Sequence, residues 1–312
     1  MRSRVGFAGE CLLVVAPVVV VFALLPLAYD NGLLLLNFVV FLVLAQGLNL
    51  TYGFCGYLPF GYVGFFGAGA YGFAMLVKLA AVPPVLAVAG GGVAALLVGL
   101  LLTPLLRLQG AYFGLASLAA AQALLHLVGN PNLEAATGGP YGVRLDAPYA
   151  PTLTYGLALG ILALTMALVA WLRHSRFGLQ LKAARDNPVA ASMAGIDIVR
   201  GRLVVWLAAA LAAGCIGAVF AWQASTFFPE AVFDLNFSIF AIVFTLFGGA
   251  GTLVGPVLGV VLLYGLYNLI GVSAPQYFQL AFGLLIMVLV LFFPQGLAAL
   301  PRLWRREAVS RG

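Results

Sequence analysis

Between Cys11 and Leu27 the chain carries no charged residue, and tracts of similar length and character recur along it. About 20 consecutive apolar residues suffice to cross the hydrocarbon core of a bilayer as a helix. Inside lipid every backbone N–H and C=O needs a partner within the spanning structure, which favours helices for tracts of this kind. Composition agrees: 64% of the 312 residues are hydrophobic and 8% are charged, against roughly 25% charged in a soluble domain. Mean hydropathy is +1.11. The expected fold class is an all-α polytopic membrane protein. The first tract ends in Pro26-Leu-Ala-Tyr-Asp30, a poor small-residue cleavage site, so it reads as a retained span.

Polar breaks divide the chain into about ten transmembrane elements: 11–29, 31–47, 56–78, 84–106, 110–128, 152–172, 203–223, 236–254, 256–271 and 277–293. Short cytoplasmic connections carry the excess of Lys and Arg. With Arg2 and Arg4 inside, ten crossings also put Arg107, the segment 173–202 and the tail arginines (302, 305, 306, 311) inside. The outside then receives Asp30, Glu134, Asp146, Glu230 and Asp234 against Arg144. Lys78 should emerge outside and can snorkel from its helix end. Both termini are thus expected in the cytoplasm. Elements 1–5 and 6–10 start on opposite sides, the form of an inverted repeat. The expected organisation is a single transmembrane domain, 1–312, with repeat-like halves at about 11–128 and 152–293. An external loop at 129–151 and a cytoplasmic segment at 173–202 complete it.

Two glycine-dense stretches stand out: GLNLTYGFCGYLPFGYVGFFGAGAYG (47–72) and FGGAGTLVGPVLG (247–259). Gly61, Gly64 and Gly67, with Gly69, can let helices approach closely. Pro59 and Pro256 mark places where a helix can break, and Gly248, Gly249 and Gly251 cluster beside the second. Broken helices are tolerated in lipid where they face a cavity or other protein. Asn49, Tyr52 and Tyr57 add polar groups next to the first stretch, so these residues are candidates for a translocation path or helix break. Plain helix packing by small residues remains the other reading.

Several chemistries find no support. GAGAYG (67–72) matches a dinucleotide fingerprint but sits inside an apolar span without strand context. No GxxxxGK[ST] loop occurs. His126 and His174 each lack a second ligand at metal spacing, and Cys11, Cys55 and Cys215 are scattered. Catalytic, cofactor-binding and metal residues are therefore expected to be absent. A nucleic-acid partner is not expected either.

The segment 173–202 holds Arg173, Arg176, Lys182, Arg185, Arg200 and Arg202 against Asp186 and Asp197. Arginines flanking the spans can enforce topology and bind anionic membrane lipid. Between them, Asn187 is a good N-cap, Pro188 suits the first helical position, and Gly195 suits a left-handed helix end. A helix this short is unstable alone and must pack on something. Val189 and Met193, four apart, give it an apolar stripe beside Ala190 and Ala194. A docking element for a cytoplasmic partner explains both the caps and the charge.

These stretches resemble the permease subunit of branched-chain amino acid ABC importers, of the longer, ten-span type. The resemblance is carried by GLNLTYG (47–53), GYLPFGYVGFFGAGAY (56–71), RLQGAYFGLASL (107–118), TGGPYGV (137–143), SRFGLQLKAARDNPVAASMAGI (175–196), GGAGTLVGPVLG (248–259) and FFPQGL (292–297). It implies a second homologous permease subunit in a heterodimer, two cytoplasmic ATPase subunits and an extracytoplasmic substrate-binding protein. ATP and Mg2+ would sit on the ATPase partners, with no cofactor on this chain. Arg185, Asp186, Asn187, Pro188, Val189, Ala190, Ala191, Met193 and Gly195 would form the ATPase-coupling segment. The implied location is the bacterial plasma membrane and the implied cargo leucine, isoleucine or valine. Urea, short amides or other small polar solutes are alternative cargoes. An ion-gradient-driven secondary transporter, or a channel, is the competing class.

Overall fold

The computed structural model describes residues 6–145 and 148–273, together with Gly283 and Met287. Among the described residues eight helices are long and apolar enough to cross a membrane. They are α1 (Phe7–Ala28), α2 (Gly32–Gly53), α3 (Val63–Ala80), α4 (Pro84–Leu101), α5 (Ala111–Val128), α6 (Pro151–His174), α9 (Ile198–Ala224) and α10 (Pro229–Gly248). Two short helices, α7 (Arg176–Asp186) and α8 (Pro188–Met193), lie between α6 and α9. A shorter apolar helix, α11 (Val254–Leu269), follows α10. It corresponds to the ninth expected element. The tenth, 277–293, apart from Gly283 and Met287, and both chain ends lie outside the described residues.

The third element does not begin at 56. Helix α2 continues through a π-turn over Asn49–Gly53, the chain leaves helical geometry, and α3 starts only at Val63. Gly56 turns the backbone with φ +75°, and Pro59, buried three residues later, has no N–H to continue a ladder. A helix starting inside protein has unpaired N–H groups to satisfy. Here side chains do so: Gly61 N–H donates to Ser117 Oγ at 3.2 Å and Val63 N–H to Ser238 Oγ at 2.8 Å. The fourth element also ends earlier than 106, because Pro104 turns the chain after Leu101 into a 3-10 segment, Thr103–Arg107. The eighth ends at Gly248 instead of 254, and Gly249–Leu253 reverses the chain into α11.

Helices α2, α3 and α9 form the centre, with α4 against α3 and α9. One close crossing joins three helices through small residues: a Cβ on Gly69 would fall on the backbone of Gly214, and one on Gly214 would meet Ala95 and Gly91. Around this contact Trp206 packs edge-on to Phe65 (centroids 4.8 Å) and donates from Nε1 to the Gly99 carbonyl at 3.0 Å. On the other side Phe237 stacks on both Phe66 (4.8 Å) and Phe41 (5.5 Å), locking α10 to α3 and α2. Helix α1, in contrast, is largely exposed, with Leu12, Leu13, Val20, Val21, Leu24 and Leu27 facing outward, as a lipid-facing helix requires.

Two ends of the bundle are pinned by named contacts. At one, β1 (Val143–Arg144) pairs antiparallel with β2 (Thr226–Phe227), and Trp222 Nε1 donates to the Pro148 carbonyl at 3.0 Å. At the other, Glu10 in α1 is buried and receives Arg173 Nη1 at 2.7 Å, with His174 Nε2 at 3.1 Å.

Candidate functional site

Helix α8 is built as its sequence dictates. Asn187 Oδ1 accepts from Ala190 N–H at 3.0 Å, and Pro188 occupies the first turn. At the far end Gly195 has φ +79°, while Ile196 N–H reaches the Ala191 carbonyl (3.1 Å) and Gly195 N–H the Ser192 carbonyl (3.0 Å). That pair of bonds is the Schellman closure. One turn and a half of helix thus has both ends satisfied.

The face by which α8 is held is narrow. Ala191 is 4% exposed, whereas Val189 and Met193 are 67% and 84% exposed. The apolar stripe therefore faces away from the protein, and a single methyl group seats the helix. Two large apolar side chains thus stand exposed beside a basic segment.

The base of α8 is tied to the first glycine-dense stretch. Arg185, on the last turn of α7, donates from Nη1 to the Gly53 carbonyl at 2.7 Å, satisfying a carbonyl left open where α2 ends. Its guanidinium lies over Tyr52, 5.4 Å from the ring centroid. Two more cations sit over neighbouring rings: Lys182 Nζ is 5.1 Å from the Phe54 centroid, and Arg202 is 4.6 Å from that of Tyr57. Tyr52, Phe54 and Tyr57 are thereby each capped by one cation of the basic segment, an attraction worth about 0.5–1 kcal/mol apiece at exposed sites.

The two glycine-dense stretches meet each other. Asn49 is fully buried. Its Nδ2 donates to the Thr252 carbonyl at 2.8 Å, and its Oδ1 accepts from Gly251 N–H at 2.7 Å. Gln46 Nε2 donates to the Leu253 carbonyl at 2.8 Å, and Thr245 Oγ1 to the Ala45 carbonyl at 3.0 Å. The reversal between α10 and α11 is so held by side-chain amides of α2, which replace the ladder bonds it lacks. Gly249 (φ +109°) and Gly251 (φ +80°) take up the left-handed turns, and a Cβ on Gly53 would press on Gly251.

The remaining candidates lie within helix contacts. A Cβ on Gly61 would strike the Ser117 backbone, one on Gly64 would touch Ala121 and one on Gly67 would meet the Phe233 ring. A Cβ on Gly248 would meet the backbone at Gly255 and Pro256, and Pro256 itself is buried. Tyr57 packs edge-on to Phe113 at 4.8 Å. Gly53, Lys182 and Arg202 join the site without having been singled out for it. Gly53 acts through its carbonyl, which no side-chain pattern announces, and the two cations are indistinguishable in sequence from topology signals.

Arg185 separates two cavities. One, about 280 Å3, is lined by Gly53, Arg173, Lys182, Arg185, Asp186 and the 250–252 turn. The other, about 200 Å3, is lined mainly by Cys55, Gly56, Tyr57, Gln109, Pro188 and Arg202, with Arg185 again. No group of three or more His, Cys, Asp or Glu able to hold a metal ion occurs among the described residues.

Residues 32–291 match the family model described as branched-chain amino acid transport system / permease component. The chain is 27% identical over 295 residues to the high-affinity branched-chain amino acid transport system permease protein LivM of Salmonella typhimurium, covering 84% of this chain and 68% of the relative. It is 26% identical over 307 residues to the protein of the same name from Escherichia coli, covering 88% and 71%. No solved structure matches the chain.

Proposed function

The chain belongs to the branched-chain amino acid transport system permease family, and from that premise we propose that it is the membrane subunit of an ABC importer that moves branched-chain amino acids into the cell. It is a multi-pass protein of the bacterial plasma membrane and a transport subunit, not an enzyme. In the proposed assembly a homologous permease pairs with it and a binding protein delivers solute from outside. Two ATPase subunits dock from the cytoplasm and hold the ATP and Mg2+. Segment 173–202 is the coupling segment, and 129–151 lies on the external face.

The observation that carries this reading is α8: a helix capped at both ends, seated by Ala191, with Val189 and Met193 turned outward. A partner that covers them accounts for their exposure. The charge pattern supports both termini on the cytoplasmic side, and the Glu10–Arg173 pair supports the start of α1 lying on the side of the coupling segment. The alternation of sides supports two inverted halves, 11–128 and 152–293, within one permease domain.

In this mechanism ATP binding draws the ATPases together and displaces α8. Arg185 passes that movement to Gly53, and Asn49 with Gln46 passes it to the reversal between α10 and α11. The candidate path residues at the two glycine-dense stretches then shift between inward and outward arrangements. In vesicles reconstituted with binding protein and ATPases, Ala191→Pro should leave insertion intact and uncouple ATP hydrolysis from leucine uptake. Unchanged uptake would overturn the reading. Uptake that persists without ATPase subunits but follows an ion gradient would support a secondary transporter instead. Binding assays on the soluble partner with leucine, urea and short amides identify the cargo.

A further inference from the structure

We propose that the 280 Å3 cavity beside α7 receives a carboxylate side chain from the cytoplasmic protein that docks on α8. The proposal rests on the docking reading above and adds the chemistry of a second contact.

The cavity is cationic without being neutralised from within. Arg173, Lys182 and Arg185 line it against Asp186 alone. Glu10 satisfies Arg173 from behind. Among the described residues no carboxylate stands within ion-pair distance of Lys182 or Arg185. Arg185 spends one N–H on the Gly53 carbonyl, and among the described residues the Lys182 ammonium contacts the face of Phe54. Burial first, and then the Arg173 and Arg185 charges, lower the Lys182 pKa from the usual lysine value, and the more weakly acting Asp186 and Glu10 charges only partly offset them. Crowded cations that disfavour their own charge are stabilised by an incoming anion.

The walls identify which anion. Besides the charged groups they consist of Gly53, Ala250, Gly251 and Thr252, so among the described residues no large apolar side chain lines the cavity for an acyl chain to lie against. An anionic lipid would bring such a chain. The cavity also adjoins α8 through Arg185, Asp186 and Asn187. A protein covering Val189 and Met193 therefore passes its mouth, and an acidic residue on that protein reaches Lys182 without further rearrangement. Apolar anchors flanked by a charge pair are a common division of labour at interfaces, with the charge setting orientation and partner choice.

The test uses the permease assembled with its ATPase subunits, in nanodiscs of neutral phosphatidylcholine and, in parallel, of phosphatidylcholine with phosphatidylglycerol. ATPase affinity is measured for wild type, Lys182→Arg, Lys182→Gln, Lys182→Glu and Val189→Asp, at low and high salt. We expect Lys182→Glu to weaken docking about tenfold in both lipids, equivalent to about 1.4 kcal/mol. Lys182→Gln should weaken it less and flatten the salt dependence, and Lys182→Arg should retain it. Wild-type docking by both Lys182→Gln and Lys182→Glu, with Val189→Asp defective, overturns the carboxylate contact and leaves the docking reading standing. Wild-type docking by all the variants overturns both. An effect of Lys182 confined to discs containing phosphatidylglycerol assigns the cavity to a lipid headgroup and overturns the proposal.

Discussion

The Nη1 of Arg185 lies 2.7 Å from the carbonyl oxygen of Gly53, joining residues 132 positions apart in the chain. One partner is on the last turn before the exposed helix α8, and the other closes the π-turn that ends α2. The contact is thus a strut between the exposed surface around α8 and an interrupted membrane helix. Because Asn49, one turn earlier, holds the Gly251–Thr252 backbone, the strut reaches a second interruption as well.

Arg185→Met removes the strut and leaves the Gly53 carbonyl without its partner, at a cost of about 1 kcal/mol. Uptake per ATP hydrolysed should fall while ATPase docking through α8 persists. Arg185→Lys should restore it only in part, because an ammonium cannot hold the carbonyl and lie flat on Tyr52 together. Paired measurements of leucine uptake and ATP turnover in vesicles check this.

Asn49→Leu deletes two part-buried hydrogen bonds of 2.7–2.8 Å and strands the Gly251 N–H and Thr252 carbonyl. Each half-buried group left unpaired costs about 1 kcal/mol. We expect a clear fall in the unfolding temperature in detergent, larger than for Gln46→Leu, which strands the Leu253 carbonyl alone.

Val189→Asp and Met193→Asp should leave the thermal stability of the isolated permease unchanged, since both side chains face outward. Both should abolish co-purification of the ATPase subunits. Ala191→Leu, at the seated position, should lower stability by about 1–3 kcal/mol through overpacking.

Gly195→Ala meets no neighbouring atom, yet its φ of +79° costs a side chain about 1–2 kcal/mol. Faster hydrogen exchange at the Ile196 amide, which closes the Schellman pair, should report it. Gly61→Ala differs in kind: its Cβ would overlap the Ser117 backbone, so the defect should appear in the yield of folded protein.

The Lys182 pKa is lowered in the folded state, by burial first and then by Arg173 and Arg185. Between that lowered value and the ordinary lysine value the unfolded chain binds more protons, so stability rises with pH across this window. Below it the folded state carries a penalised ammonium. Lys182→Met should therefore stabilise the isolated permease at neutral pH and remove this slope, as thermal unfolding at a series of pH values will show.

The class of fold and the ends of α8 were legible in the sequence for local reasons. Apolar length imposes helices in lipid whatever surrounds them, and Asn187, Pro188 and Gly195 act on their own backbone within a few residues. The position of Val63 as the start of α3 was not legible. The stretch 56–62 is apolar enough to read as span, and its departure from helix is sustained by Ser117 and Ser238 from distant helices. The roles of Gly53, Lys182 and Arg202 were hidden likewise, since a carbonyl has no signature and a cation shows no direction until a ring or an oxygen lies opposite. Short-range patterning thus determined the helices, their caps and the basic segment. Only the tertiary structure decided that the two glycine-dense stretches and that segment form one connected site, because hydrogen bonds spanning 132 to 207 residues depend on how helices meet.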